Sequence, residues 1–411
     1  MKNIVILGST GSIGENALNI VRNFPTEFKI TGLAAGTNRQ RLLEQAREFG
    51  VKNIALSSRG DEAAQPGCEW RSPEELAAMP GADLIVCAIV GMAALKPVLA
   101  AIEAGHDVAI ATKEVLVAAG EIVTRRCAEK GVNLLPIDSE HSALFQALQD
   151  GGSLPWCVRN RPQNGAARGE AAEAQASEKN IARLILTASG GPFAARPDID
   201  FEKVSAADAL KHPRWKMGPK VTIDSATMMN KGLEILEARW LFDVPVEKIS
   251  VLVHPESIVH SLVEFGDGAQ IAQLGMPDMR LPIQYALTWP RRLSNAALPR
   301  LDLAKTAALN FREADERRFP CLRLVREASA AGGLAPTVMN AANEAAVAAF
   351  LRGEIAFAGI WRRIEKALEN TPRAAAASPT LDEILDADAA ARLCLQEKDS
   401  VAPASRCLAV P

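Results

Sequence analysis

The sequence predicts an α/β protein in three parts: an N-terminal doubly wound parallel-sheet (Rossmann-like) domain, an α+β catalytic domain with a mostly antiparallel sheet, and a C-terminal helical domain. Three observations carry this reading. Short apolar runs alternate with helical patterns over residues 1–150, four strand-like runs joined by short turns follow residue 180, and helical periodicity takes over beyond residue 313.

In chain order, the β-like runs of the first part are Ile4–Leu7, Ile30–Ala35, Asn53–Leu56, Asp83–Ile89, Asp107–Ala111 and Asn133–Ile137. Helical patterns such as Ile13–Asn23 and Asn38–Phe49 lie between them, as crossover connections of a parallel sheet require. Arg159 to Asn180 is polar, rich in Ala and Gly and poor in large apolar residues, which predicts a mobile surface insertion or linker. The second part (151–288) carries strand patterns at Ile181–Thr187, Ile249–Val253, Ile258–Phe265 and Ala269–Leu274, with one helix over Ala226–Leu241. The Gly266-Asp267-Gly268 turn between the last two strands predicts an antiparallel pair. A Pro-, Ala- and Arg-rich linker (289–312) leads to the third part (313–411). Its helices are expected at Thr337–Arg352, Ile355–Glu369 and Leu381–Gln396, the last begun by a Thr380/Glu383 capping box, with a frayed tail over Ser400–Pro411.

Bulk properties narrow the function. The 411 residues suffice for two or three domains with a sizeable core, and 48% hydrophobic with 23% charged residues is ordinary for a globular protein. A net charge of −3 from 46 basic and 49 acidic residues gives no electrostatic case for nucleic acid or an anionic membrane. The N-terminal apolar run is too short for a signal peptide, and Ala82–Leu95 falls short of the ~20 residues that span a bilayer, so a cytoplasmic location is expected. Seven cysteines without a C-x-x-C pair predict reduced thiols and no zinc spacing; with no clustered histidines, a metal site would be built mainly from carboxylates.

The first strand runs into Gly8-Ser9-Thr10-Gly11-Ser12-Ile13-Gly14 and then a helix. Glycines let the backbone approach a pyrophosphate, and the helix N-terminus offers free N–H groups and partial positive charge. The spacing is G-x-x-G-x-x-G, but its place at the head of a βαβ series marks a dinucleotide site; the alternative is a glycine turn without a ligand. No acid occurs from Thr31 to Leu43, where an NAD enzyme usually holds the ribose, whereas Arg39 is positioned to meet a 2′-phosphate. This favours NADP, the alternative being a solvated Arg39.

Asp138 and Glu140 follow the last apolar run at spacing i, i+2, which on an extended strand end points both carboxylates to one face, at the sheet edge where open α/β folds bind ligands. A solvated surface pair is the competing reading. Asn230, Lys231 and Glu234 share a helical face; Asn and Lys could hold a phosphate while the Glu reaches a metal, or Lys and Glu could form a surface pair. Ser189-Gly190-Gly191 after a strand forms a possible anion nest, and Lys211–Pro219, which mixes basic, aromatic, Gly and Pro residues, suits a lid over a polar substrate.

These blocks occur in a fixed order: Gly8–Gly14, Lys113-Glu114, Asp138–Ser142, LTASGGPF (186–193), HPRWKMG (212–218), DSATMMNKGLE (224–234), HPESIVHSLVEF (254–265), GMPDMRLPIQYAL (275–287) and MNAANEAAVAAFL (339–351). With them the chain resembles the 1-deoxy-D-xylulose-5-phosphate reductoisomerase family over nearly its whole length, apart from 159–180 and the last dozen residues. The resemblance implies an NADPH- and Mg²⁺- or Mn²⁺-dependent isomerisation and reduction of 1-deoxy-D-xylulose 5-phosphate to 2-C-methyl-D-erythritol 4-phosphate, in isoprenoid precursor biosynthesis by the methylerythritol phosphate route. It implies a homodimer and a retro-aldol cleavage and re-addition, a 1,2-shift being the competing description. Carried over by motif, Thr10, Gly11, Ser12, Ile13, Gly36, Asn38, Glu114 and Gly218 would hold NADPH, with Arg39 beside them; Asp138, Glu140 and Glu234 would hold the metal. Ser189, His212, Ser225, Asn230 and Lys231 would hold the phosphate, Lys113 and Ser139 would contact the sugar backbone, and Trp215 would cover it. The catalytic set implied is Lys113, Asp138, Glu140, Glu234 and His212. Thr112 stands where the family often has Asn, and Thr37 where some members have Lys. Two rivals remain at this point. A semialdehyde dehydrogenase would need a cysteine nucleophile, for which Cys157 is the nearest candidate, and a non-catalytic NADP sensor would need neither carboxylates nor a phosphate cluster.

Overall fold

The structure, a computed structural model, describes residues 1–57, 67–150, 180–215, 217–306, 308–371 and 378–396, with residues 150, 395 and 396 described by backbone alone; Cys157, the stretch 159–179 and the tail 400–411 lie outside the described residues. Among the described residues the first sheet has seven strands: β1 (Lys2–Leu7), β2 (Phe28–Ala35), β3 (Asn53–Leu56), β4 (Glu69–Trp70), β5 (Leu84–Cys87), β6 (Asp107–Ile110) and β7 (Leu134–Pro136). Every pairing is parallel in the order β4-β3-β2-β1-β5-β6-β7, so β1 is flanked by β2 and β5 and the strand order reverses there. Ligands bind at such a switch point, beyond the carboxyl ends of the strands. The all-buried runs Ile4–Leu7 and Leu84–Cys87 are what strands covered on both faces need. The edge strand β4 is not predicted by the sequence, because two residues carry no periodicity.

The second sheet is mixed. It contains β8 (Ile181–Ala188), β9 (Ile249–Val253), β10 (Val259–Phe265), β11 (Gln270–Leu274) and β12 (Arg312–Glu313) in the order β11-β10-β8-β9-β12. Its pairings are antiparallel except β8 with β9. The single helix expected over Ala226–Leu241 is two, Pro219–Thr227 and Met229–Phe242, because Met228 between them takes a left-handed conformation (φ 63°) that ends one helix and redirects the next.

The C-terminal helices are Pro320–Ala331, Ala335–Leu351, Gly359–Glu369 and Leu381–Gln396. The first was not expected from the sequence. The Thr380/Glu383 capping box is formed, with Thr380 N donating to Glu383 (2.7 Å) and Glu383 N donating to Thr380 Oγ1 (3.3 Å). An aromatic cluster of Phe193, Phe201, Phe319, Phe350, Phe357 and Trp361 ties the segment after β8 to these helices, with ring centroids 5.3–5.9 Å apart. The helix Arg280–Thr288 returns to the first sheet: Tyr285 Oη donates to Gln149 (2.9 Å), and Lys2 donates to the Leu287 carbonyl (2.8 Å).

Candidate active site

Glycine geometry builds the nucleotide end. Gly8 has φ +91°, and a Cβ there would lie 2.4 Å from the Ala88 carbonyl oxygen at the end of β5; a Cβ on Gly14 would lie 2.3 Å from the Gly8 oxygen. These two glycines are therefore spent on packing strand against helix. Gly11 meets nothing closer than 3.4 Å, is exposed, and leaves the N-terminus of helix Ser12–Asn23 open. Asn38 Oδ1 accepts from Arg41 N (3.1 Å) and so caps the helix Arg39–Phe49, and the Arg39 guanidinium lies 5.9 Å from the centroid of the Trp70 ring.

A cavity of about 400 Å³ opens from this end. Gly11, Ser12, Ile13, Lys113, Glu114 and Gly218 line it together with Asp138, Ser139, Glu140, Asn230, Lys231 and Glu234; Ser189, His212, Trp215 and Ser225 line its far part. Thr10, Gly36, Asn38 and Arg39 are not among its lining residues; they follow β1 and β2, strands that pair side by side.

The carboxylates converge, but not as the sequence predicts. Asp138 precedes the helix Ser139–Asp150, its carbonyl accepting from Ser142 N (2.8 Å), and Glu140 already stands in the first helical turn. The i, i+2 pair therefore meets through a strand-to-helix turn and not along a strand face. Glu234, in the helix Met229–Phe242, completes the group: one ligand oxygen from each of Asp138, Glu140 and Glu234 lies within 4.8 Å of the others. Asp138, His141 and Glu237 form a second group within the same span, deeper in the protein.

Two lysines thread the first group. Lys113 Nζ donates to Asp138 (2.5 Å), Asn230 Oδ1 (2.9 Å) and Glu234 (3.2 Å). Lys231 Nζ donates to Glu140 (2.9 Å) and also to Glu234, while Asn230 Nδ2 donates to Glu234 (2.6 Å). Ser139 Oγ donates to the other Glu140 oxygen (2.6 Å). Burial alone would lower Lys113, but the Asp138, Glu234 and Glu237 carboxylates outweigh it and raise its pKa well above the usual lysine value. Burial, then the nearby Glu140, pushes Glu234 up to about 7. Carboxylates crowded at this depth form a hard-oxygen set that fits a divalent cation, which would replace ammonium charge at the same oxygens.

At Ser189, His212 and Ser225 the cavity wall offers hydroxyl and N–H groups, chemistry that suits an anion. Gly191 has φ +62° and would carry a Cβ 2.5 Å from the Ser225 carbonyl oxygen, so the Ser189-Gly190-Gly191 turn rests directly on Ser225. Ser189 Oγ accepts from Gly191 N (3.2 Å) and lies 3.0 Å from His212 Nε2. His212 Nδ1 accepts from the backbone N–H of Arg214 (3.2 Å) and Trp215 (2.8 Å), so Nε2 carries the proton and points a donor at Ser189. Burial lowers the His212 pKa from 6.5 to about 4. Its neutral form therefore stabilises the fold fully above pH 6.5, and that contribution is lost as the pH falls from 6.5 toward 4. The ligand-free protein is expected to lose thermal stability over this window, and His212→Gln to show a shallower dependence of Tm on pH; equal slopes would contradict the assignment.

Sequence reading missed several lining residues: Lys220, Asp224, Ser257, His260 and Met279. Asp224, Ser257, His260 and Met279 stood in the sequence only as members of longer motifs, and Lys220 carried no signal of its own. Among the described cysteines none lines the cavity, and burial pushes the Cys87, Cys127 and Cys321 thiols up to about 11, 12 and 12, the reverse of what a nucleophilic thiolate requires.

A nucleotide loop at a sheet switch point, sharing one cavity with a carboxylate group and an anion pocket, defines a dinucleotide-dependent oxidoreductase. Three family models match the chain: 1-deoxy-D-xylulose 5-phosphate reductoisomerase over residues 4–120, the C-terminal domain of that enzyme over 134–242, and the DXP reductoisomerase C-terminal domain over 274–394. The chain belongs to the 1-deoxy-D-xylulose 5-phosphate reductoisomerase family. It is 48% identical over 402 residues to the reductoisomerase of Chlorobaculum tepidum, covering 95% of this chain and 98% of that one. Among solved structures it is similar to the reductoisomerase from Zymomonas mobilis in complex with NADPH (37% identity, TM-score 0.80, 96% of this chain and 97% of that one). It is also similar to a reductoisomerase in complex with NADPH, fosmidomycin and magnesium (36% identity, TM-score 0.84, 96% and 97% covered).

Proposed function

We propose that the protein converts 1-deoxy-D-xylulose 5-phosphate to 2-C-methyl-D-erythritol 4-phosphate with NADPH and Mg²⁺ or Mn²⁺, a step of isoprenoid precursor synthesis. The observation that carries this is the single cavity shared by Gly11–Ile13, the Asp138/Glu140/Glu234 carboxylates and the Ser189/His212/Ser225 pocket. Isomerisation and reduction need all three within reach of one small substrate. Gly11, Ser12, Ile13, Glu114 and Gly218, with Thr10, Gly36, Asn38 and Arg39 beyond the cavity, hold NADPH in this reading. Asp138, Glu140 and Glu234 hold the cation, which when bound polarises substrate oxygens as a Lewis acid. Ser189, His212, Ser225, Asn230 and Lys231 hold the phosphate, the backbone-fixed Nε2–H of His212 keeping the Ser189 hydroxyl in place for it. Lys113, held protonated by its carboxylates, and Ser139 orient the sugar oxygens, and Trp215 excludes water over them. Residues 1–150 act as the NADPH-binding domain, 151–288 as the connective and catalytic domain, 289–312 as a linker and 313–411 as the helical domain of a cytoplasmic homodimer.

The test is NADPH consumption with product identification. Turnover is expected with 1-deoxy-D-xylulose 5-phosphate and not with unphosphorylated 1-deoxy-D-xylulose, because phosphate contacts supply the binding energy that positions the reacting carbons. Asn230→Ala should raise the substrate KM by about tenfold or more, since charge-assisted and polar phosphate contacts are worth roughly 1.5–3 kcal/mol each. NADPH binding without consumption of either compound would favour a cofactor sensor instead.

A further inference from the structure

Lys220 stands outside every role assigned above, yet it lies largely covered at the cavity wall between two carboxylates. Its Nζ lies 2.5 Å from Glu114 Oε1 and 2.9 Å from Asp224 Oδ2. Its side chain is 19% exposed, against 7% for Glu114 and 1% for Asp224. Asp224 is held in turn by Asn343 Nδ2, which donates to Oδ1 (2.9 Å) from the helix Ala335–Leu351. The chain Glu114–Lys220–Asp224–Asn343 thus joins the helix Lys113–Lys130, the helix Pro219–Thr227 and the C-terminal helices.

The placement of Lys220 is costly by itself. It occupies the first turn of Pro219–Thr227, where the helix end carries partial positive charge and a cation is disfavoured. Its burial adds a desolvation penalty. The Asp224 and Glu114 carboxylates, with Glu344 adding to their field, offset these costs. Glu114, for its part, would be a buried carboxylate facing the cavity without a fixed orientation. Burial opposes its ionisation, and Lys220 reverses that, lowering its pKa.

We propose that Lys220 is a positioning residue for the cofactor: its ammonium, anchored by Asp224, fixes the ionised Glu114 carboxylate in the orientation that meets the dinucleotide. This rests on the reading that Glu114 contacts NADPH. It also means that the helix carrying Ser225 and following the Trp215 segment is tied to the cofactor wall through one ammonium group.

The experiment is a double-mutant cycle on the full chain, read as NADPH Kd by fluorescence titration, with thermal unfolding run alongside. Lys220→Met and Glu114→Gln should each weaken NADPH binding about tenfold, the scale of one charge-assisted hydrogen bond. The double variant should be no weaker than the worse single variant, since Lys220 acts only through Glu114. Lys220→Arg keeps the charge, and keeps the cycle measurable if the Met variant does not fold. It should bind within about threefold of wild type and have no effect in the Glu114→Gln background. Independent, additive losses, or wild-type affinity in Lys220→Met, would overturn the positioning role while leaving the cofactor reading intact. Absence of NADPH binding by the wild-type protein would overturn both.

Discussion

Replacing Glu234 with Gln should reduce kcat/KM by at least about 100-fold while leaving the Kd for NADPH within about twofold of wild type. Even partners one step removed from a metal change affinity or activity roughly 10–100-fold, so a direct ligand sets a floor at the upper end of that range. Glu234 is the group on which the site converges: Lys113, Asn230 and Lys231 all donate to its carboxylate. Its carbonyl also accepts from His141 Nε2 (2.9 Å), which fixes the backbone that presents it. The amide keeps the volume and an acceptor oxygen but removes the charge. It lies in a different helix from the nucleotide loop, so cofactor affinity is an internal control. Steady-state kinetics with a Mg²⁺ series, together with a fluorescence titration of NADPH, separates the two quantities. A parallel loss of NADPH affinity would place Glu234 on the cofactor and contradict the site as drawn.

Lys113→Met is expected to act on both rate and stability. The ammonium lies at the junction of Asp138, Asn230 and Glu234, where a developing oxyanion on the sugar would meet it. Loss of one such preorganised donor typically lowers kcat about 10²–10³-fold. Without a cation, Met would also leave the Asp138 carboxylate without its ammonium partner, a change that costs about 3–5 kcal/mol when one partner of a buried pair is removed. Divalent metal should restore more stability to Lys113→Met than it adds to wild type, because the cation takes over the neutralisation. Thermal unfolding with and without Mg²⁺ measures this directly, and an equal Mg²⁺ effect on both proteins would contradict a shared carboxylate set.

The parts of this site that could be read in the chain are those whose chemistry is local. The Gly8–Gly14 loop is contiguous and sits at a strand-to-helix junction, so its pattern reports its geometry. The structure adds a division of labour that spacing does not reveal: Gly8 and Gly14 serve packing, and Gly11 leaves room for a ligand. Asp138 and Glu140 were identifiable as a pair, but the reason they converge was not. Two residues cannot distinguish a strand end from the first turn of a helix when the boundary falls between them. Met228 broke an expected continuous helix because a left-handed methionine leaves no mark in hydrophobic periodicity. Lys220 was hidden for a different reason: its partner Glu114 is 106 residues away, and only tertiary packing makes a buried ion pair from two ordinary charges. The continuously apolar strands of the first sheet and the three helices from Ala335 onward, by contrast, were legible, the former as uninterrupted apolar runs and the latter by their helical period, whereas Pro320–Ala331 was not.

On the proposed reading, one cavity holds cation, cofactor and phosphorylated substrate together. The most direct measurement follows NADPH oxidation with 1-deoxy-D-xylulose 5-phosphate in one sample, first with Mg²⁺, then with excess EDTA, then after Mn²⁺ or Mg²⁺ is restored, with NADPH affinity titrated at each stage. Turnover should stop on chelation and return with the metal, while NADPH binding stays constant throughout. Turnover that continues undiminished in EDTA would contradict the claim.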